Sequence, residues 1–286
     1  MTNQNLDVTT PGRLPRAVGR HVFGRDVAGY DAGRLGYPDA LFARLRERPA
    51  STIVEIGAGT GIATKSLLAA RPDRLMAIEP DPALARHLRE RFAESALTVL
   101  QSGFVEAEFD GSFDLVVAAS CFHWLDAEPA HARVRSILRP GGRFALWWNI
   151  YRQPGCGDPF ADAIMDLLRG FDLAPSEGVG GHYALDAELH RSRLRAAGMT
   201  MIHEEIFRRE RELDADAART LYASYSFVRV LDPERREALL DDIGNLVETR
   251  FGGVAPNVVL TPFYLAELPD GSLASSVAAS VAESGK

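Results

Sequence analysis

Cysteine is scarce in this chain of 286 residues, which contains only Cys121 and Cys156. Two cysteines cannot form the dense disulfide framework of small secreted domains, so a reducing compartment, the cytoplasm, is the expected location. Long hydrophobic runs are also missing, and the N-terminal residues lack the apolar core of a signal peptide. We therefore expect a soluble protein that has no membrane partner.

An excess of basic charge is absent as well. The 32 Lys and Arg residues are outnumbered by 39 Asp and Glu residues, and the formal net charge is −7. Because a phosphate backbone attracts a basic surface, this balance argues against a nucleic-acid partner. The chain is 46% hydrophobic, which over this length fits one large globular domain or a domain with an inserted cap.

The most informative stretch is a short apolar run that contains an acid and ends in a glycine turn. Residues 53–61 read I-V-E-I-G-A-G-T-G, with Glu55 ahead of Gly57, Gly59 and Gly61. β-branched residues favour a buried parallel strand, and glycines permit a sharp turn that a ligand can approach closely. The pattern predicts a strand, then a ligand-binding loop, with a plain tight turn as the alternative.

A helix is expected to follow this loop. It should begin near Gly61, end at about Ala70 and be capped by the Thr60 hydroxyl. The glycine spacing is G-x-G-x-G, whereas dinucleotide-binding folds use G-x-G-x-x-G. The loop therefore departs from the dinucleotide-binding pattern.

A second acid follows the next predicted strand, residues 74–78. Glu79 comes roughly twenty residues after Gly57, where doubly wound folds place the carboxylate that binds the ribose hydroxyls of a nucleotide. An ordinary acidic loop is the alternative. Two acids at neighbouring strand ends suit a cationic cofactor better than a pyrophosphate.

Strands and helices are predicted to alternate with short turns, which favours a parallel sheet with helices on both faces. A stop signal with a left-handed glycine is expected at residues 139–142, and the last strand is expected to be antiparallel. The further predicted strands are 97–101, 113–119, 143–149, 200–208 and 258–265. The predicted helices are 39–48, 82–92, 130–138, 160–171, 186–197, 215–227 and 233–248.

Four motifs resemble those of the class I S-adenosylmethionine-dependent methyltransferases, in their type 11 branch. They are the acid and glycine turn at 53–61, Y-D-x-x-R-x-x-Y-P at 30–38, F-D-L-V with F-H-W at 113–124, and L-R-P-G-G-R-F at 138–144. The resemblance implies an α/β fold with a doubly wound, seven-stranded, mostly parallel, Rossmann-like sheet and a helical substrate cap. It also implies S-adenosyl-L-methionine as cofactor and S-adenosyl-L-homocysteine as product.

In this family the acid of the first motif, here Glu55, reaches the amino-acid end of the cofactor, and the residues matching Tyr30 and Arg34 lie near its methionyl portion. An Asp-Ala pair meets the adenine in many members; Ser102, Gly103 and Phe104 stand there instead. The predicted cofactor-binding residues are Tyr30, Arg34, Glu55, Gly57, Gly59, Gly61, Glu79, Pro80, Ser102, Gly103, Phe104 and Ser120.

Methyl transfer from a sulfonium demands alignment and exclusion of water more than any particular side chain. Where the acceptor loses a proton, a nearby base helps. The candidate catalytic residues are His123, His182, Tyr183 and Tyr222. Each has a packing or solvent-facing alternative, and anchoring of a loop is the favoured role for His123.

Aromatic residues near the strand ends predict a flat or apolar acceptor. The candidate substrate-binding residues are Trp124, Trp148, Tyr151 and Tyr225. Tyr225 and Tyr222 are expected to share one face of the helix at 215–227. Sheet packing is the alternative for Trp148.

The predicted organisation separates a cofactor-binding core from helical insertions. It comprises a tail at 1–20, the core with its N-terminal lid at 21–149, cap insertions at 150–198 and 213–254, closing strands at 199–212 and 255–268, and a tail at 269–286.

The predicted function is methylation of a small molecule, an aromatic or heteroaromatic specialised metabolite such as an indole, at carbon or nitrogen. O-methylation of a carboxylate or hydroxyl is an alternative, with Arg152 or Arg229 as a cationic clamp. A nicotinamide oxidoreductase or a non-catalytic cofactor-binding protein are alternatives from other classes. The expected state is a monomer or a homodimer, with no metal.

Overall fold

The computed structural model describes residues 31, 33–151, 153, 155–173 and 182–270. Within them, the strands are β1 (Thr52–Ile56), β2 (Arg74–Ile78), β3 (Leu97–Leu100), β4 (Phe113–Ala119), β5 (Leu138–Trp147), β6 (Thr200–Leu213) and β7 (Ala255–Glu267). The helices are α1 (Asp39–Arg46), α2 (Ile62–Leu68), α3 (Pro82–Arg91), α4 (Ala127–Ile137), α5 (Pro159–Gly170), α6 (Ala187–Ala196), α7 (Ala215–Ala223), α8 (Ser226–Arg229) and α9 (Pro233–Phe251).

The strands form one seven-stranded sheet in the order β3-β2-β1-β4-β5-β7-β6. β1 pairs in parallel with β2 and β4, β2 with β3, and β4 with β5, whereas β7 is antiparallel to β5. Apolar residues of the central strands are buried, as expected for a sheet with both faces covered. The predicted α/β, doubly wound, mostly parallel sheet with an antiparallel closing strand is confirmed.

Internal contacts divide the chain into two units. Of the described residues, the sheet unit comprises 37–148, 186–207 and 261–270, and it has a core around Leu75, Trp147 and Phe263. The helical unit comprises the described residues up to Gly36 and those within 149–185 and 208–260, and it has its own core of α5, α7 and α9 side chains. The predicted domain boundaries remain predictions.

The two helices that follow β1 and β2 begin differently. Asp81 caps α3 by accepting hydrogen bonds from the amides of Ala83 and Leu84, and Pro82 takes the first helical position as predicted. The predicted Thr60 cap of α2 is wrong. The cap residue is Gly61, which has a φ of 88° and makes no side-chain cap bond, because the chain enters the helix from a left-handed turn.

Strand β5 begins earlier than predicted, at Leu138 instead of Arg143. The pairing with β4 shifts register between Leu138 and Arg143, so the intervening residues bulge within the strand instead of forming a separate turn. The expected left-handed glycine is confirmed at Gly141, whose φ is 71°.

The predicted helix at 215–227 is two helices, α7 and α8. Asp214 caps α7 by accepting from the Ala217 amide, and Tyr225 is the residue that precedes α8. The buried Ser224 hydroxyl donates to the Leu221 carbonyl at 2.5 Å, and such a bond competes with the helical backbone ladder. The prediction that Tyr225 lies on the same helix as Tyr222 is therefore wrong.

Candidate active site

In the glycine loop after β1, Gly57 packs against neighbouring residues, whereas Gly59 has free space beside it. The amides of Gly57 and Ala58 donate to the Ile78 carbonyl at 2.8 and 3.2 Å. Gly57 has a φ of 62°, and a Cβ there would lie 2.8 Å from the Cβ of Cys121. Gly59 has a φ of 60°, but a Cβ there would meet nothing within 4 Å. The loop therefore needs glycine at both positions, and it leaves free space at Gly59.

Glu79 connects this loop to the end of β2. One carboxylate oxygen accepts from the Gly59 amide at 2.8 Å, and the other accepts from the Asp81 amide at 2.9 Å. Burial raises the pKa of Glu79 to about 7, although these two amides oppose the shift. Because a carboxylate oxygen has more than one acceptor site, both oxygens keep capacity for a ligand's hydroxyl groups.

Glu55 lies on β1 with only 1% of its surface exposed. Its carboxylate accepts from the Thr64 hydroxyl at 2.6 Å. Burial raises the pKa of Glu55 to about 8, and the charge of Glu79 adds to the increase. None of the groups that cause this shift is cationic. The sheet unit thus holds two neighbouring buried acids that a positively charged ligand would stabilise.

The end of β4 adds two further groups to the loop. The Cys121 thiol donates to the Ile56 carbonyl at 2.8 Å, and burial raises its pKa, so the thiol is neutral. Ser120 has a φ of 56°, which is unusual for a residue with a side chain. Its hydroxyl oxygen accepts from the Tyr37 hydroxyl at 3.1 Å. Strained backbone of this kind is often found at functional sites.

The three residues predicted to meet the adenine follow β3. The Ser102 hydroxyl donates to the Gly103 carbonyl at 3.0 Å. Phe104 is buried and meets Phe109 edge to face, with 6.0 Å between the ring centroids. Pro80, at the end of β2, precedes the cap residue Asp81. The roles of Pro80, Ser102, Gly103 and Phe104 in cofactor binding stay predictions.

His123, Trp124 and Trp148 contact one another in the sheet unit. The Trp148 indole N–H donates to His123 Nδ1 at 3.3 Å, and the rings of His123 and Trp124 are 4.7 Å apart. Trp148 also stacks on His190, with 5.2 Å between centroids and 33° between the planes. The bond from Trp148 orients the His123 ring, and the anchoring role of His123 stays a prediction.

The helical unit brings Arg34 together with predicted acceptor-binding residues. The Arg34 guanidinium lies 4.3 Å from the ring centroid of Tyr225 and 5.3 Å from that of Tyr151. The Tyr222 and Tyr225 rings are 5.5 Å apart, although these residues do not share a helix. The Tyr151 hydroxyl accepts from the Leu35 amide at 3.0 Å. Tyr30 and Arg152 lie outside the described residues.

His182 and Tyr183 also belong to the helical unit. The His182 amide donates to the side-chain oxygen of Gln153 at 3.3 Å, and His182 Nδ1 accepts from the Ala184 amide at 3.2 Å. The rings of His182 and Tyr183 are 4.6 Å apart. Of the four predicted bases, His123 is in the sheet unit and the other three are in the helical unit.

Sequence reasoning missed several residues of both units. Thr64 binds Glu55 from the first turn of α2, and Cys121 packs on Gly57. A hydroxyl at Thr64 could have been noticed as a partner for a buried acid, but nothing in the sequence shows that Cys121 returns to β1. Arg211 was missed because β6 was expected to end at Arg208.

In the part of the chain that the structure describes, no helix is long and apolar enough to cross a membrane. The same residues contain no group of three or more His, Cys, Asp or Glu side chains that could hold a metal ion.

Known proteins resemble the chain over part of the sheet unit or over most of its length. The family described as Methyltransferase domain matches residues 54–146. An uncharacterized methyltransferase of Schizosaccharomyces pombe is 26% identical over 236 residues, which cover 81% of this chain and 89% of the relative. An uncharacterized methyltransferase of Mycobacterium tuberculosis is 33% identical over 127 residues, which cover 44% of this chain and 51% of the relative.

A solved structure, that of a candidate type II methyltransferase from Anaeromyxobacter dehalogenans, matches with a TM-score of 0.55 and 23% identity over 82% of this chain and 99% of that one. This likeness concerns the fold alone. The family match over residues 54–146, the sequence relatives and the motifs indicate the class of protein, a class I S-adenosylmethionine-dependent methyltransferase.

Proposed function

We propose that the protein binds S-adenosyl-L-methionine in the sheet unit and transfers the methyl group to a small-molecule acceptor. The observation that carries the proposal is the pair of buried acids, Glu55 and Glu79, beside a glycine loop with free space at Gly59. Both pKa values are raised by burial, so a ligand with a cationic end and a ribose would stabilise the ionised acids.

The residues of the loop fit this cofactor. Glu79 has oxygens that would accept from two ribose hydroxyls, and Glu55 would bind a cationic group at the amino-acid end. Gly59 permits the backbone to approach the ligand closely. When bound, the cofactor supplies an activated methyl group, so the protein does not have to create an electrophile. The proposal includes the predicted adenine contacts of Ser102, Gly103 and Phe104. It also includes the predicted cofactor contacts of Tyr30, Arg34, Pro80 and Ser120.

What remains for the chain's own residues is to orient the acceptor and exclude water. Ring contacts among Tyr151, Tyr222 and Tyr225 support an acceptor with a flat or apolar body, such as an aromatic specialised metabolite. Trp124 and Trp148 are further proposed contacts, and His123, His182, Tyr183 or Tyr222 would accept a proton where the acceptor loses one. We place this reaction in the cytoplasm, with the protein a monomer or a homodimer.

Calorimetric titration with S-adenosyl-L-homocysteine and with NADH tests the cofactor assignment. We expect the wild-type protein to bind S-adenosyl-L-homocysteine and not NADH. Glu79→Ala should lower the affinity for S-adenosyl-L-homocysteine by roughly a hundredfold, because a charged acceptor of two hydrogen bonds is lost. Glu90→Ala, an exposed acid on α3, is the matched control and should bind as the wild type does. Binding of NADH alone would identify a nicotinamide site and refute the proposal.

Turnover separates an enzyme from a protein that merely binds the cofactor. We expect formation of S-adenosyl-L-homocysteine when the protein is incubated with S-adenosyl-L-methionine and a library of aromatic and heteroaromatic acceptors. Tight cofactor binding without turnover on any acceptor would favour the non-catalytic alternative.

A further inference from the structure

His123 lies just beyond the carboxyl end of β4, the edge at which open α/β sheets bind ligands. The Trp148 indole N–H donates a hydrogen bond to Nδ1 of His123 at 3.3 Å. An indole nitrogen can donate a hydrogen bond, but it has no lone pair with which to accept one. Nδ1 of His123 is therefore the acceptor, and the single proton of the neutral imidazole lies on Nε2.

Rings from α6 and β7 hold the Trp148 indole in place. The indole is buried and stacks on His190 of α6, with 5.2 Å between the ring centroids and 33° between the planes. His190 in turn stacks on Tyr264 of β7, with 4.5 Å between the centroids and 31° between the planes. Because the indole cannot rotate in this close-packed interior without losing these contacts, its N–H keeps its direction toward His123.

His182, in the helical unit, has the same arrangement with a backbone donor. The Ala184 amide donates to Nδ1 of His182 at 3.2 Å. An amide N–H is also a donor only, so the proton of neutral His182 lies on Nε2 as well. To accept a further proton, either histidine would have to use Nδ1 and lose the hydrogen bond that Nδ1 accepts.

His131 of α4 shows the opposite arrangement. Its Nδ1 lies 2.5 Å from the Ala127 carbonyl oxygen, which can only accept, so the proton of His131 lies on Nδ1. Burial lowers the pKa of His131, and its ring is therefore uncharged at neutral pH. The chain thus contains its own reference for the Nδ1–H form of a neutral histidine.

We propose that Trp148 fixes His123 as the Nε2–H tautomer, so that His123 serves methyl transfer as a hydrogen-bond donor and not as a general base. A donor orients an oxygen or a ring nitrogen of the acceptor, whereas a base would remove a proton from it. Trp148 is then a positioning residue that acts through His123. The inference rests on the proposed function, and it removes His123 and His182 from the four candidate bases.

Nitrogen NMR of the isotope-labelled full chain tests the tautomers without any acceptor. Long-range proton–nitrogen correlation spectra at about pH 7.5, where an ordinary histidine is neutral, distinguish protonated from unprotonated ring nitrogens. Single histidine-to-glutamine variants assign the signals. With S-adenosyl-L-homocysteine present or absent, His123 should have a protonated Nε2 and an unprotonated Nδ1, and His131 should have the reverse. A protonated Nδ1 in His123 would overturn the proposal.

Trp148→Phe removes the indole N–H but keeps a ring that can stack on His190. The ratio of the Nε2–H form to the Nδ1–H form of His123 should fall by roughly fivefold, the worth of one hydrogen bond. Trp147→Phe is the matched control, because the Trp147 ring packs edge to face on Tyr37 instead, and it should leave the ratio unchanged. An unchanged ratio in Trp148→Phe would overturn the role of Trp148.

Thermal unfolding verifies that each variant is folded. If Trp148→Phe does not fold, the wild-type spectrum still decides which nitrogen of His123 carries the proton.

Turnover separates a donor from a base at His123. Loss of a general base would lower kcat by about 10²–10⁴-fold. Glutamine has no basic nitrogen but keeps an N–H donor, so His123→Gln should stay within about tenfold of the wild type and above His123→Ala. Formation of S-adenosyl-L-homocysteine on an acceptor from the aromatic library measures both.

A greater loss in His123→Gln would overturn the proposal, and so would equal rates in His123→Gln and His123→Ala, since the donor would then be unused. Absence of wild-type turnover on every acceptor would count against the proposed function, whereas the NMR spectra decide the tautomer of His123 in either case.

Discussion

The sheet unit has two buried acids beside its glycine loop, whereas the helical unit has two partly buried arginines around one tyrosine ring. The sheet unit buries Glu55 and Glu79 next to the glycine loop, and the helical unit holds Arg34 and Arg211 around Tyr151. Buried charges that serve only the fold are normally paired or fully hydrogen-bonded. No cation is among the groups that shift the pKa values of Glu55 and Glu79, which supports a cationic ligand group in the sheet unit.

Asp158 shows what a buried acid looks like when it serves the fold. It accepts three hydrogen bonds, whereas Glu55 is bonded by the side chain and the backbone of Thr64 and Glu79 by two amides. These bonds do not outweigh burial at Glu55 and Glu79, whose pKa values stay raised. The predictions below test this distinction, from the largest expected effect to the smallest.

Alanine at the two glycines of the loop should separate folding from binding. Gly57→Ala forces a Cβ to within 2.8 Å of Cys121 at a φ of 62°, and we expect a loss of stability of about 2–4 kcal/mol. Cys121→Gly should restore part of it. Gly59→Ala adds no such contact, so it should cost about 1–2 kcal/mol but weaken S-adenosyl-L-homocysteine binding at least tenfold. Chemical denaturation measures the stability of each variant, and calorimetric titration measures its affinity for S-adenosyl-L-homocysteine. Unchanged affinity in Gly59→Ala would contradict the proposal that the ligand occupies the free space at Gly59.

The raised pKa of Glu55 predicts a stability that falls with pH. The native acid stays protonated up to a pKa of about 8, while the unfolded acid ionises near 4.5; the native state therefore holds more protons between these values, and its stability decreases as pH rises. Between pH 6.5 and 8 we expect a loss of about 2 kcal/mol. This interval lies above the range in which His131, whose pKa is lowered by burial, takes up a proton.

Glu55→Gln should reduce that pH dependence by at least half, leaving the smaller contribution of Glu79. Denaturation in urea at several pH values, without cofactor, measures the slope. The same slope in the wild type and in Glu55→Gln would show that Glu55 is ionised in the folded protein.

The smallest effect concerns Tyr151 in the helical unit. Tyr151→Phe removes the acceptor of the Leu35 amide and should cost about 1 kcal/mol of stability. Because the ring remains, its contacts with Arg34 and Arg211 should persist, so thermal unfolding should show a smaller loss of stability than in Tyr151→Ala. An equal loss in the two variants would show that the hydroxyl carries the whole contribution.

Local patterns were sufficient to predict the alternating α/β elements and the acids of the sheet unit. Glu55, Gly57, Gly59 and Glu79 stand in short motifs whose spacing follows from strand, turn and helix geometry. The prediction of a Thr60 cap was wrong because a hydroxyl before a helix does not indicate the left-handed turn at Gly61 through which the chain enters the helix. The early start of β5 was missed because a proline and two glycines read as a turn, although they bulge within a strand.

Contacts between distant parts of the chain could not be predicted from local sequence patterns. Neither the packing of Cys121 on Gly57 nor the bond from Arg211 to Asn257 has a local signal. Arg211 was overlooked because charged residues interrupt the apolar alternation at Arg208, and the strand was expected to end there. In the structure the alternation continues to Leu213, with arginines in place of apolar residues on the inner face.

Proton release on cofactor binding tests the central claim most directly, namely that Glu55 binds the ammonium end of the cofactor and Glu79 its ribose. Titration of S-adenosyl-L-homocysteine at pH 7 in buffers of different ionisation enthalpy gives the number of protons released. Because the pKa values are about 8 and about 7 in the free protein, binding should ionise the acids and release between roughly half a proton and one and a half protons. Release should decrease in Glu55→Gln and nearly vanish at pH 9. Binding without proton release at pH 7 would contradict the account.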